Sequence, residues 1–554
     1  MMDSQRLILL FIFGFSVLML WDAWEKEHRP KPVVQVQQQA EPSAVPAAKP
    51  TGAASSAAPA TGSVPGAAAP AAKGEVITVR TDLVVAEIDT LGASLKKLEL
   101  LKHKDTDDIT KNLVLLGPEH HYEAQSGLVG DGPNHRSLWS WSGTGEQALG
   151  PGQDTIDVRL TATGPGGLEV AKTYRFKRDS YLVEVVLEVK NSGGAPLAPA
   201  AYYQLTHDGK PTGNTNAVAS SFGAQSFFGY AVYTDEKKFQ KVHPADIDKN
   251  KADFVKEAPD GWLAYVQHYF VSGWVPAAKG ARTFELLKRE DGNYAGYIRM
   301  PLGTLEPGAS RSATVGLYAG PQEQHRLAAV APGFDLVVDY GWLTVIAWPL
   351  FWLLQKFHSL SGNWGVAIIL LTVTIKLIFF PLSAASYKSM AKMKLITPRM
   401  QKIREMYEND RQKMNQAMME LYRTEKINPL GGCFPILVQI PVFIALYWVL
   451  LAAIELRHAP FMLWIHDLSA LDPYYVLPVL MTITMVLQTR LNPVPPDPVQ
   501  AKVMQFMPFV FSIFFFFFPA GLVLYWLVNN ILSILQQWQI QRMFDRGKTA
   551  HAKR

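Results

Sequence analysis

Apolar residues follow two different periods along the chain. Residues 7–21 form a short apolar run, residues from 76 to about 319 alternate between apolar and polar positions, and longer apolar runs recur after Gly341. Alternation is typical of half-buried strands, whereas an apolar run of about 20 residues can cross a bilayer as a helix. The pattern therefore predicts a membrane-anchored N-terminus, a large β domain and a helical membrane region.

The strand pattern is clearest in a predicted hairpin within residues 173–190. Tyr174 and Phe176 precede the turn sequence KRDS, and the apolar residues after it alternate mostly with charged ones. Similar short strands, separated by Gly, Pro, Asn and Asp, predict a large antiparallel β-sandwich over residues 76–325. Residues 25–75 are rich in Ala and Pro and predict a flexible linker after an uncleaved membrane anchor at residues 1–24.

The later apolar runs predict a membrane protein with six spans in total. Residues 363–382 form the second span, and residues 433–538 contain the third to sixth. The intervening loop, residues 383–432, carries ten basic and five acidic residues and is predicted to be a cytoplasmic helical hairpin by the positive-inside rule. The same rule places the basic tail at 539–554, and hence both termini, in the cytoplasm.

A further apolar segment, residues 334–358, is interpreted as an amphipathic helix that lies in the membrane interface on the outer face of the bilayer. It contains Pro349, several Trp residues, and charged residues at its ends. A helix with this composition suits the interface. If the segment crossed the bilayer, the basic loop would fall outside, against the charge rule.

Composition and motifs narrow the classes of function only slightly. The formal net charge is +5, and the single cysteine, Cys433, excludes an internal disulfide. No phosphate-binding GxxxxGK[ST] motif and no HExxH metal motif occurs, and no cofactor is predicted. The histidines at positions 120, 121, 207 and 268 are scattered and are interpreted as surface or packed residues rather than a catalytic set.

The second predicted span carries one ionisable residue, Lys376, with no Asp or Glu in the same segment. A charge there costs about 2.5–3.5 kcal/mol on insertion scales. One interpretation is that the long side chain snorkels to the interface. The other is that Lys376 faces a polar cavity between helices, next to Thr372 one turn away, and meets anionic groups of a substrate.

Polar residues recur in the other predicted spans. Gln439 lies in the third and Ser512 in the fifth, while Asn530 and Ser533 share a helical face with Gln537 in the last. Each alone fits an ordinary polar contact between helices. Together with a lysine that lacks an evident counter-ion, they predict a hydrophilic groove, open to the cytoplasm and lipid, that accommodates polar chain at membrane depth.

Three functions are compatible with these features. The first is an insertase and chaperone for membrane proteins, and the second is a small-solute transporter or channel with a soluble accessory domain. The absence of an evident internal repeat weighs against the second. The third is a membrane-anchored sugar-active enzyme, which the sandwich alone suggests.

Three segments resemble the membrane core of the YidC family of bacterial insertases, which mitochondrial and chloroplast relatives share. They are NPLGGCFPILVQIPVFIALY at 428–447, FMLWIHDLSALDPYY at 461–475 and PAGLVLYWLVNN at 519–530. The order of anchor, large domain, interfacial helix and basic tail matches the Gram-negative arrangement. The resemblance implies a periplasmic β-supersandwich similar to sugar-mutarotase folds, a five-helix core in the inner membrane, and a function that is not enzymatic.

The resemblance also implies roles for individual residues. Lys376 stands where the family commonly has Arg, which keeps the charge but loses the bidentate fork. Thr372, Tyr525 and Trp526 would line the path of a nascent inner-membrane protein, which the chain would insert and help to fold, alone or with the Sec translocon and its accessory subunits. The ribosome and the signal-recognition machinery would dock on the hairpin and the basic tail, with the hairpin residues Lys388, Lys392, Lys394, Arg399, Lys402 and Arg404 as candidates.

Overall fold

The structure is a computed structural model that describes residues 73–106, 108–211, 227–407, 410–425, 434–492 and 498–551. The anchor predicted at 1–24 lies outside these residues, as does the predicted linker up to residue 72. The fold described below is therefore that of the β domain and of the helices after it.

Eighteen described strands form two sheets, which confirms the predicted antiparallel β-sandwich. The strands are β1 Val76–Arg80, β2 Val84–Asp89, β3 Ser94–Lys104, β4 Asn112–Leu116, β5 Glu123–Leu128, β6 Glu146–Ala148, β7 Thr155–Gly164, β8 Leu168–Lys177, β9 Leu182–Asn191, β10 Ala200–His207, β11 Gly229–Thr234, β12 Lys238–Val242, β13 Glu257–Ala258, β14 Trp262–Val266, β15 Phe270–Pro276, β16 Arg282–Lys288, β17 Tyr294–Pro301 and β18 Ser310–Pro321.

One sheet has ten strands and the other has eight. The first runs β13-β16-β17-β10-β5-β3-β2-β1-β6, with β4 paired to β3, and the second runs β12-β11-β14-β15-β18-β9-β8-β7. Neighbouring strands pair antiparallel except β1 and β6, which are parallel. This exception was not predicted, because β6 reaches β1 across a long connection rather than through a hairpin.

The predicted hairpin at 173–190 is confirmed by β8 and β9. They pair antiparallel with Tyr174 opposite Val185, and both of these side chains are buried. Other apolar side chains of the hairpin that point inward are Phe176, Val183, Leu187 and Val189. Burial on alternate positions is what a period of two requires when one face of a sheet covers a core.

Polar side chains tie the two sheets together inside the sandwich. The indole N–H of Trp274 in β15 donates to the carbonyl of Gln204 in β10 at 2.9 Å. The hydroxyl of Tyr230 in β11 donates to the carbonyl of Leu205 in β10 at 3.0 Å. Large aromatic residues therefore fill the core and satisfy backbone carbonyls at the same time.

Ten described helices accompany the sheets. They are α1 Pro244–Asp248, α2 Gln324–Val330, α3 Thr344–Ser361, α4 Trp364–Ile378, α5 Phe380–Met406, α6 Arg411–Thr424, α7 Phe434–Ala452, α8 Val476–Leu491, α9 Pro498–Phe515 and α10 Ala520–His551. Helix α10 packs against α4, α5, α7 and α8, so it forms the centre of the helical region.

The segment predicted as one span at 363–382 is broken. Helix α4 ends at Ile378, α5 begins at Phe380, and their axes differ by 66°. Pro381 has no N–H to continue the hydrogen bonds of α4, and it suits the first turn of a new helix. By length and hydropathy no single helix among the described residues qualifies as a membrane span, whereas α4 and α5 qualify as a bent pair.

The interfacial helix predicted at 334–358 is shorter at its start. Two 3₁₀ turns, Phe334–Val337 and Gly341–Leu343, precede α3, which begins at Thr344. Gly341 adopts a φ of 60°, which interrupts a helix. Helix α3 itself is two-sided, because Ala347, Phe351 and Leu354 are buried and Val345, Trp348 and Trp352 are exposed.

Helices α5 and α6 pack against each other, as the predicted hairpin at 383–432 requires. Ile396 and Met400 of α5 are buried against Met418 and Leu421 of α6. Arg399 and Glu425 form an ion pair across the two helices. Met400 and Met418 thus pack between the two helices, whereas Met406 and Met419 are exposed. Residues 426–433 of the predicted segment lie outside the described residues.

Asp472 organises the connection that precedes α8. Its carboxylate is buried and accepts hydrogen bonds from the backbone N–H groups of Tyr474 at 3.0 Å and Leu477 at 2.7 Å. It also accepts one from the indole of Trp464 at 2.9 Å. A carboxylate at this position satisfies N–H groups that the first turn of a helix leaves free.

We expect Asp472→Ala to lower the free energy of unfolding by about 3 kcal/mol or more, because three buried donors lose a charged acceptor. Asp472→Asn keeps the shape and one acceptor oxygen, so its loss should be smaller. Thermal unfolding of the purified protein in detergent measures both. Equal stability of Asp472→Ala and the wild type would contradict this role.

Candidate functional site

The polar side chains of the helical region converge on α10. Asn529 and Asn530 share one turn of this helix, Ser533 and Gln537 lie on the next two turns, and each of the four contacts a polar group of another helix or connection. The result is a polar strip along α10 inside an otherwise apolar assembly. We call these four residues and their partners the polar strip.

Lys376 joins the polar strip through Ser533. The ammonium of Lys376 donates to the hydroxyl of Ser533 at 2.7 Å, and that hydroxyl donates in turn to the carbonyl of Asn529 at 2.7 Å. The serine hydroxyl thus donates one hydrogen bond and accepts one from the ammonium.

Lys376 is buried without a neutralising charge in the described part of the chain. Its side chain is 6% exposed, and Ser533 is the partner that it contacts there. An ammonium has three donors, so two of them lack a protein acceptor among the described residues. The snorkelling interpretation does not fit this position, because the lysine points toward α10 rather than to the surface.

Three further hydrogen bonds extend the polar strip to other helices. The Asn530 amide donates to the Thr484 hydroxyl of α8 at 2.9 Å. The Gln439 amide of α7 donates to the Asn529 side-chain oxygen at 2.9 Å. Further along α10, the Gln537 amide donates to the side-chain oxygen of Asn492 at 3.1 Å.

Gln537 of the strip and the adjacent Gln536 carry acceptors that no described group satisfies. The side-chain oxygens of Gln536 and Gln537 are buried and have no hydrogen-bond partner in the described part of the chain. Buried polar atoms of this kind are uncommon, because each one costs free energy. The strip therefore has spare hydrogen-bonding capacity for a polar group, at both Lys376 and Gln537.

Other predicted site residues lie near the strip but bond within their own helices. The Thr372 hydroxyl donates to the carbonyl of Ile368 at 2.7 Å, and the Ser512 hydroxyl donates to that of Pro508 at 2.5 Å. Both side chains are buried. Neither has a hydrogen-bond partner on another helix in the described structure, so they contribute polarity to their helices and not a link between helices.

Tyr525 and Trp526 belong to an aromatic cluster beside the strip. The ring of Trp526 stacks on Phe443 of α7 with centroids 5.0 Å apart and meets Phe515 of α9 edge-on at 4.4 Å. Tyr525 is buried, with its ring 6.2 Å from that of Phe443. The two residues predicted together thus separate into a buried tyrosine and a half-buried tryptophan that connects α7, α9 and α10.

Asn492 is a partner of the strip that was not predicted as a site residue. It follows α8 in a Pro-rich stretch that resembles a plain loop. Its contact with Gln537 depends on how α8 packs against α10. Helical periodicity within one segment carries no signal for such a contact.

The basic residues predicted for docking lie on α5. Lys388, Lys394, Arg399 and Lys402 are exposed, and Lys392 and Arg404 are partly buried. The exposed members leave their charges available to an anionic partner, apart from Arg399, which is paired with Glu425.

The scattered histidines have different surroundings in the β domain. His121 is exposed, and Nε2 of His268 lies 3.0 Å from the carbonyl oxygen of Leu451, where the β domain meets the last turn of α7. His120 and His207, in contrast, come together with Asp208. These two histidines are therefore close in the fold although they are far apart in the sequence, and the buried His207 ring packs against Tyr265.

The chain thus joins a β-sandwich to a helical region with a buried lysine and polar contacts between helices, an arrangement of a multi-domain membrane protein. Residues 356–548 match the sequence model described as "60Kd inner membrane protein", and residues 76–353 match the one described as "YidC periplasmic domain". Together the two matches cover most of the chain.

Individual relatives agree with these matches over the full length. A membrane protein insertase YidC from Methylobacillus flagellatus is 53% identical and covers 100% of both chains. Another from Dechloromonas aromatica is 54% identical over 99% of both. A crystal structure of an active YidC insertase is 18% identical in sequence, and the match covers 84% of this chain and 94% of the chain in that structure. The two structures superpose with a TM-score of 0.37, which is too low to support an inference.

The chain belongs to the YidC family of membrane protein insertases. It is accordingly an inner-membrane protein with a periplasmic domain, and its clients are nascent membrane proteins. The family consists of insertases and not of transporters or sugar-active enzymes, so the two alternative functions are not supported.

Proposed function

We propose that the polar strip, with Lys376 as its cation, receives the polar flank of a client while the apolar part of the client enters lipid. An apolar helix gains free energy on entering the bilayer, whereas its polar flank loses hydration. The flank is therefore the difficult part to move. The observation that carries the proposal is the buried Lys376 ammonium with a serine as its one described partner.

An acidic group of the client is the natural ligand for Lys376. A carboxylate 4 Å from an ammonium gains about 4 kcal/mol at an effective dielectric constant of about 20. That gain is comparable with the cost of placing the lysine in the membrane, about 2.5–3.5 kcal/mol. In the described structure Lys376 contacts Ser533, so a client group would replace or share this hydrogen bond. The exchange requires a groove that opens between α4 and α10.

The aromatic cluster suits the apolar part of the same client. Trp526 and its neighbours Phe443 and Phe515 connect α7, α9 and α10 next to the polar strip. Helix α9 also exposes large apolar side chains, among them Phe506, Phe509 and Phe511. A client helix would slide along this apolar surface while its flank stays hydrated in the strip.

Reconstitution tests this proposal directly. Vesicles that contain only this protein should insert a single-span client with an acidic translocated tail, measured by protection of the tail from added protease. Empty vesicles provide the control. Equal protection in empty vesicles would mean that this client inserts unaided and would contradict the proposal for it.

We further propose six spans with both termini in the cytoplasm, and the β domain and α3 on the periplasmic side. The charge of the hairpin supports this orientation, and so does the exposed apolar face of α3, where Trp348 and Trp352 would enter the outer interface. The charge asymmetry alone would orient the helices in this way.

Single cysteines introduced on a Cys433→Ser background test the orientation. A membrane-impermeant thiol reagent added to spheroplasts should label Lys279→Cys in the β domain and His466→Cys in the connection before α8. Lys394→Cys should react only after the membrane is permeabilised. Labelling of Lys394→Cys in intact spheroplasts would reverse the proposed topology.

The exposed basic face of α5 is proposed to dock ribosomes or the signal-recognition machinery. A triple variant, Lys388→Glu with Lys394→Glu and Lys402→Glu, reverses three exposed charges. We expect co-sedimentation with ribosomes in low salt to fall several-fold, because surface attraction of this kind is electrostatic. Co-sedimentation equal to that of the wild type would show that ribosomes dock elsewhere.

A further inference from the structure

The β domain contacts the end of α7 through the turn between β14 and β15. Nε2 of His268 in this turn lies 3.0 Å from the carbonyl oxygen of Leu451, in the last turn of α7. A carbonyl only accepts hydrogen bonds, so this nitrogen carries the proton. The last four carbonyls of a helix lack partners within the helix. His268 therefore supplies a donor to one of them from the β domain.

Arg457, in the connection after α7, makes a second contact with the β domain. Its guanidinium donates to the hydroxyl of Thr106 at 3.1 Å and lies 5.5 Å from the ring centre of Phe270 in β15. The His103 ring meets the same Phe270 ring edge-on, with centroids 5.5 Å apart. The residues that link the two parts of the molecule here, which we call the interdomain joint, are His103, Thr106, His268, Phe270, Leu451 and Arg457.

The interdomain joint leaves several buried polar atoms unsatisfied. Nε2 of His103, Nη1 of Arg457 and Nε2 of the adjacent His458 are buried and have no hydrogen-bond partner in the described part of the chain. Each such atom costs free energy because it has lost its hydration without a replacement. Separation of the β domain from α7 would return these atoms to water, so the contact is suited to opening.

A hinge for such a separation lies between the β domain and α3. Phe334 packs edge-on against Trp262 of β14 with centroids 4.8 Å apart and thus belongs to the β domain, whereas α3 packs against α4 and α7. Gly341 lies between them at a φ of 60°, and no atom lies within 4 Å of the position that a Cβ would take. A glycine with free space around it can absorb the change in dihedral angles that a hinge requires.

Protonation of His103 or His268 would place a further cation near Arg457. No carboxylate pairs with either imidazole among the residues that the structure describes, so the added charge would be buried without compensation. The other titratable groups around the two imidazoles are Asp105, Tyr181, Tyr269, His458 and Asp467. The two carboxylates of this set act on Arg457 and His458 and not on the two imidazoles.

The protonation equilibria agree with this geometry. Burial, assisted by the charge of Arg457, lowers the pKa of His103 and the pKa of His268 from 6.5 to about 4 in the closed joint. An imidazole in water has a pKa of about 6.5. The open form therefore binds more protons than the closed form, and the closed form loses stability as the pH falls from about 6.5 toward 4.

We propose that the interdomain joint is an acid-sensitive contact, in which protonation of His103 and His268 releases the β domain from α7 and allows it to turn about Gly341. The hydrogen bond from His268 to Leu451 can persist after protonation, so the uncompensated charge near Arg457 opens the joint. The proposal concerns the position of the β domain and is independent of the insertion mechanism.

Distance measurements by pulsed electron paramagnetic resonance on the full-length protein in nanodiscs test the joint. Spin labels are attached to Lys102→Cys in β3 and His466→Cys in the connection after α7, two exposed positions, on a Cys433→Ser background. We expect one narrow distance distribution at pH 7.5 and a second, longer population at pH 5. The ratio of open to closed molecules should rise at least about tenfold, because each imidazole can contribute up to about tenfold per pH unit.

Matched variants assign the opening to the two imidazoles. His268→Gln keeps a donor for Leu451, and His103→Phe keeps the edge-on contact with Phe270, but neither new side chain can be protonated. The double variant should therefore stay closed at pH 5, whereas His121→Gln, at an exposed histidine of the β domain, should open like the wild type.

Three results would overturn the proposal. The first is the same distance distribution of the wild type at both pH values, and the second is opening of the double variant to the same extent as the wild type. The third is loss of the β-sheet signal of the wild type in circular dichroism at pH 5, because the longer distances would then come from unfolding of the β domain and not from opening of the interdomain joint.

Discussion

Lys376→Glu is expected to reduce insertion of a client with an acidic translocated tail by about tenfold or more, because an attraction of about 4 kcal/mol becomes a repulsion and each 1.4 kcal/mol corresponds to a factor of ten. Water in the opened groove weakens both the attraction and the repulsion. The expected reduction is therefore about tenfold, which is less than 4 kcal/mol would give. Lys376→Ala should fall between Glu and the wild type. Lys376→Arg keeps the charge and should insert nearly normally.

Two controls separate a functional charge from a structural one. Lys388→Glu makes the same charge change on the exposed surface of α5 and should insert normally in vesicles without ribosomes. A client whose tail lacks acidic residues should depend little on Lys376. Thermal unfolding of each variant in detergent shows whether the helical region has kept its stability.

Ser533→Ala adds a measurement of the contact itself. It removes the one described partner of the Lys376 ammonium. If the ammonium must leave Ser533 to meet a client, insertion should be retained although stability decreases. Normal insertion by Lys376→Glu at equal expression would instead remove the lysine from the mechanism and leave Asn530, Gln439 and their partners to form the polar path.

Structural features that depend only on residues close together in the sequence could be predicted from local patterns. The hairpin of β8 and β9 is predictable because apolar and charged residues alternate along it. This alternation places Tyr174 and Val185 on the buried face and most charged residues on the solvent face. The face shared by Asn530, Ser533 and Gln537 follows from the helical repeat in the same way. For these elements one stretch of sequence contains the whole physical cause.

Contacts between distant segments were not predictable on this basis. His120 and Asp208 are 88 positions apart, and Asn492 meets Gln537 only because α8 packs on α10. The strand order of the ten-stranded sheet likewise depends on long connections. The break at Phe379, in contrast, has a local signal, namely Pro381. The long apolar run around it favours one continuous helix, but the proline leads to a bend of 66°.

The central prediction for the β domain concerns Lys172, which is fully buried between the two sheets. Lys172 lies in β8 of the eight-stranded sheet, and its ammonium donates to carbonyl oxygens of the ten-stranded sheet and the turn before β3. These are the carbonyls of Ser126 at 2.7 Å, Ala93 at 3.1 Å and Gly92 at 3.3 Å. It also lies 4.7 Å from the ring centre of Trp139. Three carbonyls and an aromatic face surround the charge, and no carboxylate of the described residues pairs with it.

Lys172→Ala should lower the free energy of unfolding by about 3–5 kcal/mol, because three buried carbonyls lose their donor and a cavity remains. Lys172→Met fills most of the space and should lose less. Lys177→Met replaces a half-buried lysine at the end of the same strand, whose ammonium pairs with Glu184, and the smaller loss expected there serves as the control. Denaturant unfolding of the full-length protein in detergent measures all three.

The pH dependence distinguishes a buried charge from a simple packing effect. Burial lowers the pKa of Lys172 from 10.5 to about 7 in the folded protein. Between these two values the unfolded chain binds more protons than the folded one, so stability due to this group increases as the pH rises from about 7 and is lost as it falls. The slope corresponds to as much as about 1.4 kcal/mol per pH unit.

Comparison of the wild type with Lys172→Met between pH 7 and pH 9 isolates this slope, because other groups titrate alike in both proteins. The difference in stability between them should change steadily across this range, in favour of the wild type as the pH rises. Parallel curves would mean that Lys172 stays charged throughout, held by its three carbonyls and Trp139 despite its burial. In that case the hydrogen bonds to Gly92, Ala93 and Ser126 compensate the loss of hydration completely, and the ammonium itself is the link between the sheets.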